Sequence, residues 1–344
     1  MEKIDFAFNM NCLGPPEGAI VAYHDAVDSI FEYPDPKNRE LIDVASKFFN
    51  VKPESLSFGV GTTDVIYTLA RLLKNDGRVL IPIPTFWEYA EANKVAGAEV
   101  KTLQLDEDKD FKWSSEDLES NLEGVKTVYL CNPNNPTSFL QSPQELIAVV
   151  RGHPGINFVV DETYLLFLED FDEKSLIHFA AGEVENLYIV ISHSKFFAIP
   201  GARIGTLISS PPNIETYNEA HPPYMMNATV APLMEHTLAA SKYIESARKQ
   251  YRERIEKVVQ EATSLLDPAK CKVLPPMGPF MMIKMLQGIS ASDVTRELSA
   301  GPNQASTVRD CSDMPGLTPD WIRVAIRSEK EMTFLFKSLG LILK

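Results

Sequence analysis

Ser-His-Ser-Lys-Phe-Phe-Ala-Ile-Pro-Gly-Ala-Arg-Ile-Gly occupies residues 192–205. The apolar run Leu-Tyr-Ile-Val-Ile at 187–191 leads into it and reads as a buried strand. Lys195 therefore stands just beyond a strand end, with Ser192 before it and Arg203 after it. A lysine held there can form a Schiff base with an aldehyde cofactor, pyridoxal 5'-phosphate (PLP). Ser192 can donate its hydroxyl to the cofactor's phosphate, and Arg203 can grip that phosphate with two parallel N–H bonds. A lone lysine after a strand is ordinarily a surface residue. Serine, lysine, glycine and arginine at these spacings each have a separate task, and together they point to a site.

Working outward, the middle of the chain alternates strand and helix. Short, nearly all-apolar runs at 78–83, 98–103, 126–131, 157–161, 187–192 and 205–209 read as strands. Helical patterns lie between them, as at 86–95 and 143–151. This alternation predicts an α/β fold with a mostly parallel sheet covered on both faces. In such sheets ligands sit at the carboxyl ends of strands. The candidate site residues of this region are expected just after a strand or at the start of the following helix.

Four further stretches carry chemistry. Gly-Val-Gly-Thr-Thr-Asp (59–64) precedes a helical pattern, with Thr63 or Asp64 as the expected N-cap. The free N–H groups of that helix start, with the hydroxyls of Thr62 and Thr63, suit a phosphate. Pro-Thr-Phe-Trp-Glu-Tyr (84–89) places Phe86 to stack on a pyridine ring, while Trp87 and Tyr89 are expected in the core or an interface. Cys-Asn-Pro-Asn-Asn-Pro-Thr (131–137) forms a fixed loop in which Asn135 can donate to a phenolate oxygen. Asp161 ends a buried strand and needs a partner; a protonated pyridine nitrogen is a suitable one. Tyr164, three residues on, can hydrogen-bond the ring's phenolic oxygen.

The C-terminal third has a different pattern. Residues 232–266 read as one long helical stretch, followed by strands at 271–274, 280–285, 306–309 and 322–326 and helices at 292–298 and 329–339. The expected division is a large domain over 31–235 and a small α+β domain from 1–30 and 236–344. Within it, Arg309 and Arg323 each end an apolar strand, and two arginines suggest a substrate with two anionic groups. Strand alternation leaves Arg327 as a possible substitute for Arg323.

The chain has 344 residues and a net charge of −14. That balance argues against nucleic acid or an anionic membrane as partner, while local arginines still allow a small anionic ligand. The four cysteines (Cys12, Cys131, Cys271, Cys311) are scattered, so neither a metal site nor a disulfide framework is expected. No apolar stretch approaches the roughly 20 residues of a membrane span, and a cytoplasmic protein is the simplest expectation.

Taken in order, these motifs resemble fold-type I PLP enzymes, the aspartate-aminotransferase superfamily. The resemblance implies a PLP-dependent transferase fold: a large domain with a mostly parallel seven-stranded sheet between helices, plus a smaller α+β domain. It assigns catalytic work to Lys195, Asp161 and Tyr164. Asn-Cys-Leu-Gly-Pro-Pro (11–16) and Tyr-Pro-Asp-Pro (33–36) are similar to segments of the histidinol-phosphate aminotransferase group. By that likeness Asn11 lies at the substrate, and Tyr33 reaches the cofactor phosphate of a neighbouring subunit, which implies a homodimer with shared active sites. Within the group, the 84–89, 130–137, 195–201 and 309–328 stretches look like the L-threonine-O-3-phosphate decarboxylases of cobalamin biosynthesis. Cys12 stands where relatives have proline and Ser138 where they have glycine. The His-Gly-Gly-Asn segment typical of those decarboxylases has no match here, the first histidine being His24. The implied activity is decarboxylation of a small phosphorylated amino acid, with amino transfer to 2-oxoglutarate as the alternative.

Overall fold

The computed structural model describes residues 4–74, 77–300 and 306–343. Among them the strands are, in chain order, β1 (Ile4–Asp5), β2 (Leu56–Gly59), β3 (Arg78–Ile83), β4 (Glu99–Gln104), β5 (Val125–Cys131), β6 (Asn157–Asp161) and β7 (Leu187–Ser192). They continue with β8 (Gly205–Ile208), β9 (Cys271–Leu274), β10 (Phe280–Met285), β11 (Ser306–Thr307), β12 (Arg309–Asp310) and β13 (Trp321–Ala325).

One seven-stranded sheet runs in the order β2-β8-β7-β6-β5-β3-β4. All its pairs are parallel except those of β8 with β2 and β7. Its central strands are apolar on both sides because each feeds two cores. In β7, Leu187, Ile189 and Ile191 enter one core with Phe158 and Val160 of β6, while Tyr188 and Val190 enter the other with Val159. The first core takes Leu146, Val149 and Val150 of the helix Pro143–Gly152; the second takes Val65, Ile66 and Leu69 of the helix Gly61–Leu72.

A smaller α+β part holds the antiparallel sheet β12-β13-β10-β9. The start of the chain is stitched onto it. β1 pairs with β11, Phe6 N donates to the Thr307 carbonyl at 2.8 Å, and Ala325 N donates to the Phe6 carbonyl at 2.8 Å.

Three elements differ from expectation. The stretch at 232–266 is two helices, Val230–Leu238 and Ser241–Leu265. Ala240 leaves helical geometry (ψ 57°) with no glycine or proline to mark the break. The strand expected at 306–309 is divided between two sheets, since β11 pairs with β1 and β12 with β13. The short β2 was not expected at all; Ser57 and Gly59 interrupt its apolar pattern.

This topology gathers the site. β3, β5, β6 and β7 end along one edge of the sheet. β2 is antiparallel to β8 and β8 to β7, so β2 ends at the same edge. Because β8 runs the other way, its beginning lies there too. Arg203 thus precedes its strand yet joins residues that follow theirs.

Candidate active site

The first piece is the helix start that could hold a phosphate. The helix Gly61–Leu72 begins at Gly61, which has φ +78°. A Cβ there would collide with the guanidinium of Arg203, so the arginine lies directly over the helix start. On the opposite side Gly205 packs close, where a Cβ would sit 2.5 Å from Thr62 N. Thr62 and Thr63 lie in the first turn, whose N–H groups have no intrahelical acceptor. The expected N-cap at Thr63 or Asp64 is corrected. Asp64 lies inside the first turn and its carboxylate reaches back to accept from Val60 N at 2.8 Å, with His221 Nε2 at 2.6 Å. Burial pushes the Asp64 carboxyl up, but the bonds from His221 and Val60 outweigh it and hold the group below its usual range. The loop is thereby anchored from behind, leaving its N–H groups for an anion. Ser192 is buried at the end of β7, its N–H held by Thr163 Oγ1 at 2.9 Å.

The second piece surrounds Asp161. Phe86 is half-buried and edge-on to Tyr89 (centroids 5.5 Å apart). Asp161 is buried at the end of β6, its Oδ1 accepting from Thr163 N at 2.9 Å and its Oδ2 from Tyr89 Oη at 2.8 Å. Burial pushes its carboxyl up, and the bonds from Thr163 and Tyr89 pull it back. Asn135 turns its carbonyl oxygen to Arg323 Nη1. Arginine has only donors, so that end of the amide must be the oxygen, and the NH2 end faces the other way as a donor. Tyr164 accepts at its hydroxyl from Asn9 Nδ2 at 3.1 Å and packs edge-on to Phe280. Burial raises its pKa to about 12, so it remains a neutral phenol.

Lys195 is half-buried in the turn after β7. Burial, then the positive charges of Arg323 and Arg203, lower its pKa. A lowered pKa leaves more of the amine neutral and nucleophilic. Attachment of PLP to the apo-protein should therefore quicken with pH through a midpoint below the 10.5 of an ordinary lysine. Rapid-mixing absorbance across a pH series reads that midpoint; a value at 10.5 would contradict the geometry.

Arg323 and Arg309 face each other as register partners of β13 and β12. Arg323 is 9% exposed, donates to Asn135 and to the Ala7 carbonyl (2.8 Å), and leaves Nε without a partner. Among the described residues it has no ion pair. Arg309 is half-buried and pairs with Asp313 at 2.8 Å. The alternative, Arg327, pairs with Glu331 at 2.8 Å and donates to the Asp5 carbonyl, so it is already neutralised. A buried guanidinium with no carboxylate is costly unless an anion arrives.

Two further residues stand apart from these pieces. Asn11 is buried behind the lysine turn and commits its amide hydrogens to the Phe196 carbonyl (2.8 Å) and Tyr243 Oη (3.0 Å). Its carbonyl accepts from Leu13 N, and its own N–H donates to the Lys195 carbonyl. These bonds fix the turn that carries Lys195. Tyr33 is 87% exposed, with only Tyr224 against its ring at 5.5 Å.

A family model described as aminotransferase class I and II matches residues 1–339. The chain belongs to that family. Its members are PLP-dependent enzymes, and PLP is this chain's cofactor. Three similar proteins give the range within the aminotransferase class I and II family. The chain is 29% identical over 318 residues to a histidinol-phosphate aminotransferase of Methanococcus aeolicus, covering 89% of this chain and 81% of that protein. It is 27% identical over 334 residues to an adenosylcobalamin biosynthesis bifunctional protein CobDQ of Leptospira interrogans; this covers 96% of the chain but spans only 37% of that longer protein. Its fold matches a crystal structure of L-threonine-O-3-phosphate decarboxylase from Porphyromonas gingivalis with a TM-score of 0.86, at 23% identity and 99% coverage of both chains.

The residues present fit the cofactor of a class I and II aminotransferase. The Arg203 guanidinium and the free N–H groups of the Gly61 helix start lie together and have the charge to hold a phosphate. Asp161 offers a buried carboxylate to a ring nitrogen, and Lys195 an amine of lowered pKa. The structure adds three residues that sequence reasoning did not place. Asn9 is buried against Tyr164 with its carbonyl oxygen unpartnered. Thr163 ties Asp161 to Ser192. Tyr89, expected only as core or interface, is in the core and also bonds Asp161. Asn9 stands two residues before the quoted Asn-Cys-Leu-Gly segment, and Tyr89 one helical turn after Phe86; those spacings were the available signals. No described helix is long and apolar enough to cross a membrane.

Proposed function

We propose that this enzyme decarboxylates a small phosphorylated amino acid, with L-threonine-O-3-phosphate as the substrate. The observation that carries the reading is the facing pair Arg309 and Arg323, the second buried without a carboxylate. Arg323 touches Asn135 and lowers the pKa of Lys195, so it stands beside the reacting centre and takes the substrate's carboxylate. Arg309 lies further out and takes the phosphate, displacing Asp313. The adenosylcobalamin protein and the decarboxylase fold named above are consistent with this choice.

In this reading Thr62, Thr63, Ser192 and Arg203 hold the cofactor's phosphate, Phe86 and Asp161 its ring, and Asn135 and Tyr164 its phenolic oxygen. When bound, PLP withdraws electrons from the substrate's α-carbon. Arg323 would hold and orient the substrate's carboxylate. The bond from the α-carbon to the carboxylate breaks, CO2 leaves with its electrons left on the carbon, and Lys195 supplies the proton that replaces it. If Arg323 instead left the α-hydrogen facing Lys195, the lysine would remove the α-proton. That is the amino-transfer alternative, and the histidinol-phosphate aminotransferase relative favours it. The exposed apolar residues Ile20, Val21, Ile30, Phe31, Tyr33 and Tyr224 support a homodimer in which Tyr33 completes the partner's phosphate cup.

PLP-loaded protein mixed with threonine phosphate, with no oxo-acid present, should release CO2 and aminopropanol phosphate over many turnovers. Amino transfer to 2-oxoglutarate without CO2 would overturn the decarboxylase reading.

A further inference from the structure

Tyr89 connects Asp161 and Phe86, the two residues proposed above to hold the cofactor ring. It lies in the first turn of the helix Glu88–Val95 and is 1% exposed. Its hydroxyl donates to Asp161 Oδ2 at 2.8 Å. Its ring stands edge-on to Phe86 (centroids 5.5 Å apart, 83° between planes) and stacks on Tyr129 (5.8 Å, 28°). Asp161 therefore has one donor on each oxygen: Thr163 N–H from its own loop, and Tyr89 from a helix that follows a different strand. A carboxylate gripped at both oxygens cannot rotate about its last torsion without breaking a bond, and each bond favours its charged form. Burial keeps the Tyr89 phenol far above its ordinary pKa, so it remains a donor throughout the working pH range. An apolar core position would be filled equally well by phenylalanine; here the hydroxyl has a specific acceptor.

We propose that Tyr89 is a positioning residue for the cofactor: it orients Asp161 toward the ring nitrogen and braces Phe86 against the ring face. The inference rests on the reading of Asp161 as the partner of that nitrogen. It extends it by assigning to one phenol the joint control of how the ring is held and how its nitrogen is charged.

The test uses Tyr89→Phe, with Tyr129→Phe as the control. Both remove one hydroxyl from the same buried stack, but only the first touches Asp161. Affinity of the apo-protein for PLP is read by fluorescence quenching without substrate, and KM and kcat are read separately. Tyr89→Phe should bind PLP about tenfold more weakly, the worth of one hydrogen bond to a charged group. It should change the ratio of the bound cofactor's absorbance bands and lower kcat with KM unchanged. Tyr129→Phe should do none of these, and both should melt with the parent. In an Asp161→Ala background the Tyr89→Phe effect on PLP affinity should vanish, since the acceptor is gone. If Asp161→Ala alone binds PLP and turns over normally, the reading of Asp161 fails. If Asp161→Ala is impaired but Tyr89→Phe matches Tyr129→Phe, only the inference about Tyr89 fails.

Discussion

Replacing Lys195 by alanine is expected to lower kcat on the order of a thousandfold or more while leaving the fold intact. In the proposed function the amine does two things: it holds the cofactor between turnovers and carries a proton to or from the substrate's α-carbon. Loss of a positioned general acid or base alone costs about 10²- to 10⁴-fold. The fold should survive because the turn is held through its backbone. Asn11 N–H donates to the Lys195 carbonyl, and the Asn11 side chain donates to the Phe196 carbonyl. Lys195→Arg should be as inactive as alanine. The task needs a neutral amine, which burial and the charges of Arg323 and Arg203 provide for a lysine. A guanidinium stays protonated under the same pressure. A small primary amine added to Lys195→Ala should restore part of the rate. Steady-state kinetics and thermal melting measure both halves of this expectation; a variant that keeps a tenth of the parent's kcat would remove Lys195 from the chemistry.

Much of the site was legible because a parallel sheet simplifies the reading. An apolar run followed at once by Asp161, by Ser192 and Lys195, or by Asn135 places those residues at one edge of the molecule. Arg203 was placed by spacing, but the reason it reaches the edge is the reversed direction of β8, which the sequence pattern does not reveal. Asn9 and Tyr89 were missed because their tasks are contacts across 155 and 72 residues, to Tyr164 and Asp161. Asn11 likewise makes its contacts far along the chain, to Phe196 and Tyr243. Its motif marks the site, but its side chain serves the backbone of the lysine turn. The arginines carried a signal that went unread. Arg309 and Arg327 each have an acid four residues on, Asp313 and Glu331, and pair with it. Arg323 has Arg327 at that spacing and is left without a carboxylate. In the folded chain Arg323 is therefore the one of the three without a carboxylate partner among the described residues.

That separation leads to the second large effect. Arg323→Ala is expected to reduce kcat/KM for a phosphorylated amino acid by roughly 30- to 5,000-fold, corresponding to about 2–5 kcal/mol for truncating one partner of a buried hydrogen-bonded charge pair. Most of the loss should fall on kcat, because in the proposed function Arg323 orients the carboxylate that leaves as CO2. The same variant should release a smaller share of CO2 relative to amino transfer when 2-oxoglutarate is supplied. Arg309→Ala should behave differently. Its guanidinium is half-exposed and already paired with Asp313, so a substrate phosphate gains only the difference between two anions in a wetter setting. The expected result is a KM raised about tenfold or less with kcat nearly kept. Asp313→Asn should move KM the other way by removing the competitor. Kinetics of the three variants with one phosphorylated substrate and its unphosphorylated analogue assign the two anions. If Arg309→Ala reduces kcat while Arg323→Ala affects only KM, the carboxylate and phosphate sites are exchanged. The buried arginine would then be the phosphate site, and the surface pair would be aligning the bond that breaks.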